Sequence, residues 1–518
     1  MIRKITKKQL IVFIVFALGV FARVLFLDSM PDGLNQDEAY AGYEAYSLLH
    51  YGVDSWGYSF PVYLTTWGSG MSIMNSYLMI PFIWTIGPTV LAARLPQAIL
   101  GLLTVFTFYK LFNLLFPNDN TISLIALFIL AINPWHILMC RWALDCNMAP
   151  AFLLIAFYFF CRGVDEPKFF ILSFLFYGLT LYCYALTWVF VPVFLFLQLL
   201  FLFWTRRIKI SRYLIISVLI ICILAVPLLL FILVNSGRID ELKIGLISVP
   251  RMPMYRASEI DLENQKGRLL AFAKSLITQN DGLIWNYAGR FGLYYKWGLP
   301  FAVLVIIELV RRGGKCLFKR EYHPEVMFLL QFCFCILFSS LIDTNFSKMN
   351  SIHFPVLALM VIGIRLFFEW FRNAGLRKAV FATSWIVGLL SFVLFERYYF
   401  GDYRTKTAEC YRSGLRECVE YAECIAGDST IFIYDYASHP CVLFYEQIPV
   451  TDDGLVRSRQ AGITVDTFSN ICISSGQPVS GDICIYYQNS LPGWVADNNV
   501  LFSEGVFAVV EMPEESEQ

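Results

Sequence analysis

The chain is 518 residues long, 58% hydrophobic and 17% aromatic, with only 15% charged residues and a mean hydropathy of +0.60. A water-soluble chain normally carries roughly a quarter charged residues, so this composition excludes an ordinary soluble domain and fits a polytopic membrane protein. Lys and Arg together number 40 and so do Asp and Glu, which leaves no electrostatic footprint for nucleic-acid binding.

Arg3, Lys4, Lys7 and Lys8 precede an apolar run from Leu10 to Leu27. The run is nearer span length than a signal-peptide core and reads as an uncleaved signal-anchor, with a cleaved signal as the lesser reading. An acidic pair, Asp37-Glu38, follows on a short tether, and Tyr40, Gly42, Tyr43 and Tyr46 recur after it at helical spacing. The pair therefore falls at or near a helix start just outside the hydrocarbon. Taken alone, an acidic cap favoured by the helix dipole explains it as well as chemistry does.

Apolar stretches of span length, or nearly so, lie at about 9–27, 92–115, 121–139, 149–162, 168–182, 187–204, 213–234, 297–310, 325–342, 354–371 and 379–396, which predicts about 11 transmembrane helices. With a cytoplasmic N-terminus, the basic clusters Arg206-Arg207-Lys209-Arg212, Arg311-Arg312-Lys315-Lys319-Arg320 and Arg372-Arg377-Lys378 all fall on the cytoplasmic side, as the positive-inside rule asks. That orientation sends the first loop (28–91), a short loop near 140–148, the long loop 235–296, the loop 343–353 and the tail after about 396 to the outer face. Within the first loop, 76–84 is too short and too Pro-interrupted to span and suits an interfacial helix. Gly52, Asp54, Gly57 and Pro61 read as turns, and Trp56 and Trp67 as interfacial anchors.

The expected domains are a membrane module over 1–396 and an extracytoplasmic α/β domain over 397–518. In the latter, Ile431–Tyr434 and Ile483–Tyr487 read as short buried strands and Thr407–Ile425 as helical. The tail holds Cys410, Cys418, Cys424, Cys441, Cys472 and Cys484, for which disulfides and free buried thiols are equal readings. The fold class is thus an all-α polytopic membrane protein with a small α/β C-terminal domain.

Polar chemistry gathers on the outer side. Arg141 and Asp145 stand four apart, so a helical turn would pair them, and a helix-end ion pair is the plainer account. Asp145 would also supply a second carboxylate at the membrane depth of Asp37. Tyr182 and Tyr184 fit an aromatic belt equally well as a sugar-stacking surface. Lys348, Arg251, Arg256 and Arg268 sit on the side where basic residues are disfavoured, for which an anionic ligand such as a lipid phosphate gives a reason. His136 reads as packing beside Trp135, no ligand set has metal spacing, and no P-loop or GxSxG is present.

Together these residues resemble a family. Asp37-Glu38, Gly52-x-Asp54-x-x-Gly57-x-x-x-Pro61, Ala93-Arg94-Leu95-Pro96, Pro134-Trp135-His136 with Arg141 and Asp145, Tyr182-x-Tyr184, Asn280-Asp281-Gly282-x-x-Trp285-Asn286 and Asn345-x-x-Lys348 with Pro355 occur in an order and sidedness similar to bacterial GT-C glycosyltransferases. The branch is that of protein O-mannosyltransferases and lipid A aminoarabinose transferases, and the resemblance spans roughly 9–396.

It implies transfer of a monosaccharide from a polyprenyl-phosphate donor to an acceptor hydroxyl on the outer face, with inversion. It implies Asp37 as general base, with Glu38 and Asp145 as further catalytic carboxylates. Lys348, Arg256 and Arg141 become candidates for the donor phosphate, with Lys348 standing where related sequences often carry Arg. Tyr40, Tyr43, Asp54, Tyr182, Tyr184, His136 and Asn345 become candidate substrate contacts. The implied partners are the lipid-linked donor, the bilayer and an acceptor glycan, lipid or protein, with no nucleic acid. No cofactor is obligatory, and a divalent metal lacks support from ligand spacing. The implied location is the cell membrane. The competing class is a transporter or flippase of lipid-linked sugars, but these usually carry ionisable residues at mid-membrane and internal repeats, neither of which stands out here.

Overall fold

The computed structural model describes residues 6–255, 260–462, 467–474, 476–495 and 499–513, with side chains at 313–317 also outside the description. The first helix, α1 (Lys7–Val24), opens on a capping box between Thr6 and Gln9. A coil then leads to α2 (Gln36–Tyr51) and α3 (Met74–Ile86), neither of which is a span. The membrane bundle continues through α4 (Val90–Leu115), α5 (Asn120–Ala131), α6 (Pro134–Cys140), α7 (Ala149–Asp165), α8 (Phe169–Thr180), α9 (Thr187–Trp204) and α10 (Arg212–Asn235). Pro134 cannot continue the α5 hydrogen-bond ladder, and α5 and α6 meet at a 56° bend.

A hairpin of β1 (Leu242–Ile244) and β2 (Ile247–Val249) and an exposed helix, α11 (Gln265–Thr278), fill the long loop. Four more helices complete the bundle: α12 (Leu299–Lys319), α13 (Pro324–Phe338), α14 (His353–Glu369) and α15 (Ala374–Tyr398). All eleven apolar stretches are therefore helical. Among the described residues, six helical segments are long and apolar enough to cross a bilayer, or seven if the bent α5–α6 pair counts as one crossing. The others are too short, as in α8 and α13, or carry more charge, as Lys7, Lys8 and Arg23 do in α1. The segments containing α7 and α14 are 78% buried and form the interior, whereas those containing α10 and α15 are 17% buried and form the rim. The molecule is a multi-pass membrane protein.

The tail is a small α/β unit. After α16 (Arg404–Thr407) come α17 (Leu415–Ala426), β3 (Ile431–Ile433), α18 (His439–Tyr445), α19 (Asp453–Ala461), β4 (Thr467–Phe468), β5 (Ile471–Ile473), β6 (Ile483–Tyr487), β7 (Val500–Glu504) and β8 (Phe507–Glu511). The sheet order is β4-β5-β3-β6-β8-β7, with β3 parallel to both neighbours. Ile431, Phe432 and Ile433 are all buried, as a strand covered on both faces requires. The expected helix from Thr407 begins eight residues later, at Leu415. Gly414 before it takes φ +83 against the Glu504 carbonyl, where a Cβ would lie 2.0 Å from that oxygen. Cys410, Cys418, Cys424, Cys441 and Cys484 are free thiols.

The tail packs on α2 rather than standing apart. Tyr43 donates to the Ile448 carbonyl at 2.7 Å, Asn35 to the Cys410 carbonyl at 3.1 Å, and Arg404 pairs with Asp32 at 2.9 Å. A Cβ at Gly42 would come within 2.8 Å of the Phe444 ring of α18, so the helices touch backbone to ring.

Candidate active site

Asn35 caps α2, accepting from the Asp37 amide at 3.0 Å, while Glu38 completes a capping box by accepting from the Asn35 amide at 3.2 Å. The Glu38 carboxylate is wholly buried. It pairs with Arg94 of α4 at 2.6 Å and accepts from the Ala143 amide at 2.9 Å. Arg94 spends its remaining donors on the carbonyls of Leu27, Pro31 and Gly33. Arg141 does the same for Ala22, Leu25, Phe26 and Met30, with Tyr399 as a side-chain partner at 3.1 Å. Two buried guanidinium groups thus hold the coil between α1 and α2 by its carbonyls, and this fixes where Asp37 stands.

Asp37 faces a cavity of about 570 Å³. Asp145 opens the 3-10 turn Asp145–Asn147 before α7 and lines the same cavity, its Oδ1 accepting from the Cys146 amide at 2.6 Å. Lys348, Asn345 and Ser347 enter from the loop before α14, and Trp285 and Leu283 from the loop before α12. Asp281 ties these two loops together, accepting from Asn286 at 2.7 Å and from the Phe346 amide at 2.8 Å. Asn345 caps its own turn through the Lys348 amide at 2.8 Å. Tyr184, Trp142, Trp67, Met71, Asn35 and Gln36 complete most of the wall, and Tyr436 reaches in from the tail.

The environment acts on Asp37 in a definite direction. Removal from water pushes its carboxyl up to about 6, opposed by the Arg412 charge and reinforced by Glu38. A carboxylate in that range is a stronger base than an ordinary one and is still mostly ionised at neutral pH.

A second cavity of about 350 Å³ shares Ser69, Gly70, Asp145 and Tyr184 with the first. Leu186, Trp188 and Val189 of the α9 end and Phe231 and Ile232 of α10 give it an apolar wall, and Val189 is 40% exposed on the bundle surface. The polar cavity and this apolar groove therefore border one another, with those four residues as their common wall.

Of the residues proposed from sequence, Asp37, Asp145, Lys348, Tyr184 and Asn345 come together in the cavity. The other described candidates do not line it. Glu38 is saturated by Arg94 and by the Asn35 and Ala143 amides. Arg141 is engaged by four carbonyls and the Tyr399 hydroxyl, away from the cavity wall. His136 is buried between Arg23, 3.1 Å from its Nε to Nδ1, and Thr104, 2.7 Å from Nε2. Tyr40 is buried against Trp67, and Tyr43 is engaged with the tail. Asp54 is buried and shapes its own turn, accepting from the Trp56 and Tyr58 amides at 3.0 and 2.8 Å. Tyr182 donates to the Leu224 carbonyl of α10 at 2.7 Å. Arg256 lies outside the described residues.

Trp67, Trp142, Trp285, Ser347 and Tyr436 belong to the cavity and were not assigned to it from sequence. Trp285 had a signal, since it closes the Asn280-Asp281-Gly282 motif. Among the described residues no group of three or more His, Cys, Asp or Glu side chains is arranged to hold a metal ion.

The helical membrane bundle and its C-terminal unit have the GT-C fold. The family model for dolichyl-phosphate-mannose-protein mannosyltransferases matches residues 72–231, from the end of the first loop into α10. The structure is similar to that of ArnT from Cupriavidus metallidurans bound to undecaprenyl phosphate, at 12% identity over 97% of each chain and a TM-score of 0.56. The apo state of the same protein superposes at 0.55 with the same identity and coverage. An oligosaccharyltransferase from Archaeoglobus fulgidus, tethered to an acceptor peptide, matches at 12% identity and a TM-score of 0.50, over 86% of this chain and 64% of that one. A sequence search of curated proteins gives no match.

Proposed function

We propose that the chain is a membrane glycosyltransferase that moves a monosaccharide from a polyprenyl-phosphate donor to an acceptor hydroxyl, with Asp37 as general base. The observation that carries this is the meeting of Asp37, Asp145 and Lys348, from three separate loops, in one cavity bordered by an apolar groove. The cavity has room for a sugar and the groove for the first units of a prenyl chain.

In the proposed step the Asp37 carboxylate accepts the acceptor's hydroxyl proton as the oxygen bonds to the anomeric carbon. The bond from that carbon to the lipid phosphate breaks, and the electron pair leaves with the phosphate. Lys348 stabilises the charge that develops there, and Asp145 accepts hydrogen bonds from sugar hydroxyls. A single displacement inverts the anomeric centre. The orientation that suits this reading puts the cavity and the tail on the outer face and the N-terminus in the cytoplasm.

The test is incubation of purified protein, in vesicles of cell-envelope lipid, with a panel of labelled polyprenyl-phosphate monosaccharides. At least one donor should lose label to an acceptor with the wild type and not with Asp37→Asn. Label that crosses the bilayer still attached to its lipid, with no transfer, would establish the flippase reading instead.

A further inference from the structure

The cavity has two unlike ends. Asp145 and Tyr184 line both the polar cavity and the apolar groove. Trp67 and Tyr436 line the polar cavity but not the groove. Their ring centroids are 5.2 Å apart and their planes are inclined by 42°, so they pack together as a tilted aromatic corner.

This corner is rigidly built. Trp67 lies at φ +52, a left-handed conformation that an indole-bearing residue rarely takes and that costs on the order of 1–3 kcal/mol. Tyr40 and His439 brace its ring, with centroids at 5.6 and 5.4 Å. Tyr436 sits on a turn held by Asp435, whose Oδ2 accepts from Arg412 at 2.9 Å, Ser438 at 2.7 Å and Tyr487 at 3.1 Å. Yet 47% of Tyr436 remains exposed. A large ring fixed in place and half-exposed, in a cavity that Asp37 and Gln36 also line, has the composition that binds a sugar ring: an aromatic face for the C–H side, an amide and a carboxylate for the hydroxyls.

We infer that Trp67 and Tyr436 form the acceptor subsite and that the acceptor is itself a carbohydrate, stacked on the aromatic corner with a hydroxyl directed at Asp37. The inference rests on the transferase reading above. It makes the tail a specificity element, because Tyr436 is its contribution to the cavity.

The experiment uses the full chain in vesicles with a donor from which the wild type releases sugar, and offers hexyl β-glucoside, hexanol or a serine-containing peptide as acceptor. The glucoside should be the preferred acceptor. Tyr436→Ala should raise its KM by about tenfold, the size expected for losing one aromatic stacking contact, with the donor KM within about threefold of wild type. Tyr436→Phe should restore the glucoside KM, since the ring face and not the hydroxyl makes the contact. Preference for the peptide or for hexanol, an equal rise in donor KM, or failure of Tyr436→Phe to rescue would each overturn the inference while leaving the transferase reading standing. Failure of the wild type to release sugar from any donor would overturn both.

Discussion

Replacing Asp37 by Asn removes one negative charge and one proton acceptor while keeping the side chain's size and its place in the first turn of α2. In the folded protein the carboxyl is raised from 3.8 to about 6, chiefly by loss of water contact. The folded state therefore holds this proton more tightly than the unfolded chain does, and ionising Asp37 costs stability. That cost is absent below about pH 4, grows between 4 and 6 and is fully present above 6. Two pKa units correspond to about 3 kcal/mol, and the residue's partial exposure reduces this to about 1–2 kcal/mol.

Asn cannot ionise and escapes the cost. Asp37→Asn should be more stable than the wild type by about that amount near neutral pH, with the difference vanishing at about pH 4. Loss of a general base should at the same time lower transfer by about 10²- to 10⁴-fold. Thermal unfolding in detergent micelles between about pH 4 and 8, beside initial rates of label transfer, reads both effects. The wild-type kcat/KM should fall on an acid limb near pH 6, and the residual activity of the variant should lack that limb. A variant that transfers within about threefold of wild type, or one that melts lower at neutral pH, would refute the assignment.

Lys348→Ala should raise the donor KM by about tenfold or more, the worth of a charge-assisted contact to phosphate, and an unchanged donor KM would remove Lys348 from that role. Arg94→Met should leave Glu38 buried without its cation and cost about 3–5 kcal/mol, read as a lower melting temperature; no loss would contradict a structural ion pair. Arg141→Lys should lose stability through broken carbonyl contacts with no selective rise in donor KM, and a selective rise would return Arg141 to the phosphate site. Gly42→Leu should force the Phe444 ring away and expose the tail to limited proteolysis, and an unaltered digestion pattern would refute close packing of α2 on α18.

The apolar stretches were legible because twenty or so uncharged residues have few fates other than a buried or lipid-facing helix. The meeting of Asp37, Asp145 and Lys348 was legible for a related reason: ionisable residues just outside successive spans fall at one depth if the loops share a side. Which of several polar residues at that depth points into the cavity was not legible. Glu38, Arg141 and His136 look as reactive in sequence as Asp37 does, and only their partners, 56 to more than a hundred residues away, show that they are spent. One local clue existed, since Asn35-x-x-Glu38 is a capping-box pattern and assigns Glu38 to the helix start. Arg94, inside an apolar span, demanded a partner on cost alone. Tyr436 offered no such clue, because its place beside Trp67 depends on how the tail docks more than three hundred residues later.

The contact between Gly42 and Phe444 has a consequence for any attempt to graft this protein's selectivity onto another scaffold. With no side chain between them, the helix bearing the acid and the helix beneath the sheet are shaped to one another at atomic distance. A transplanted tail would meet a foreign α2 and lose its footing, so the smallest exchangeable cassette is discontinuous, made of residues 35–51 together with the C-terminal unit.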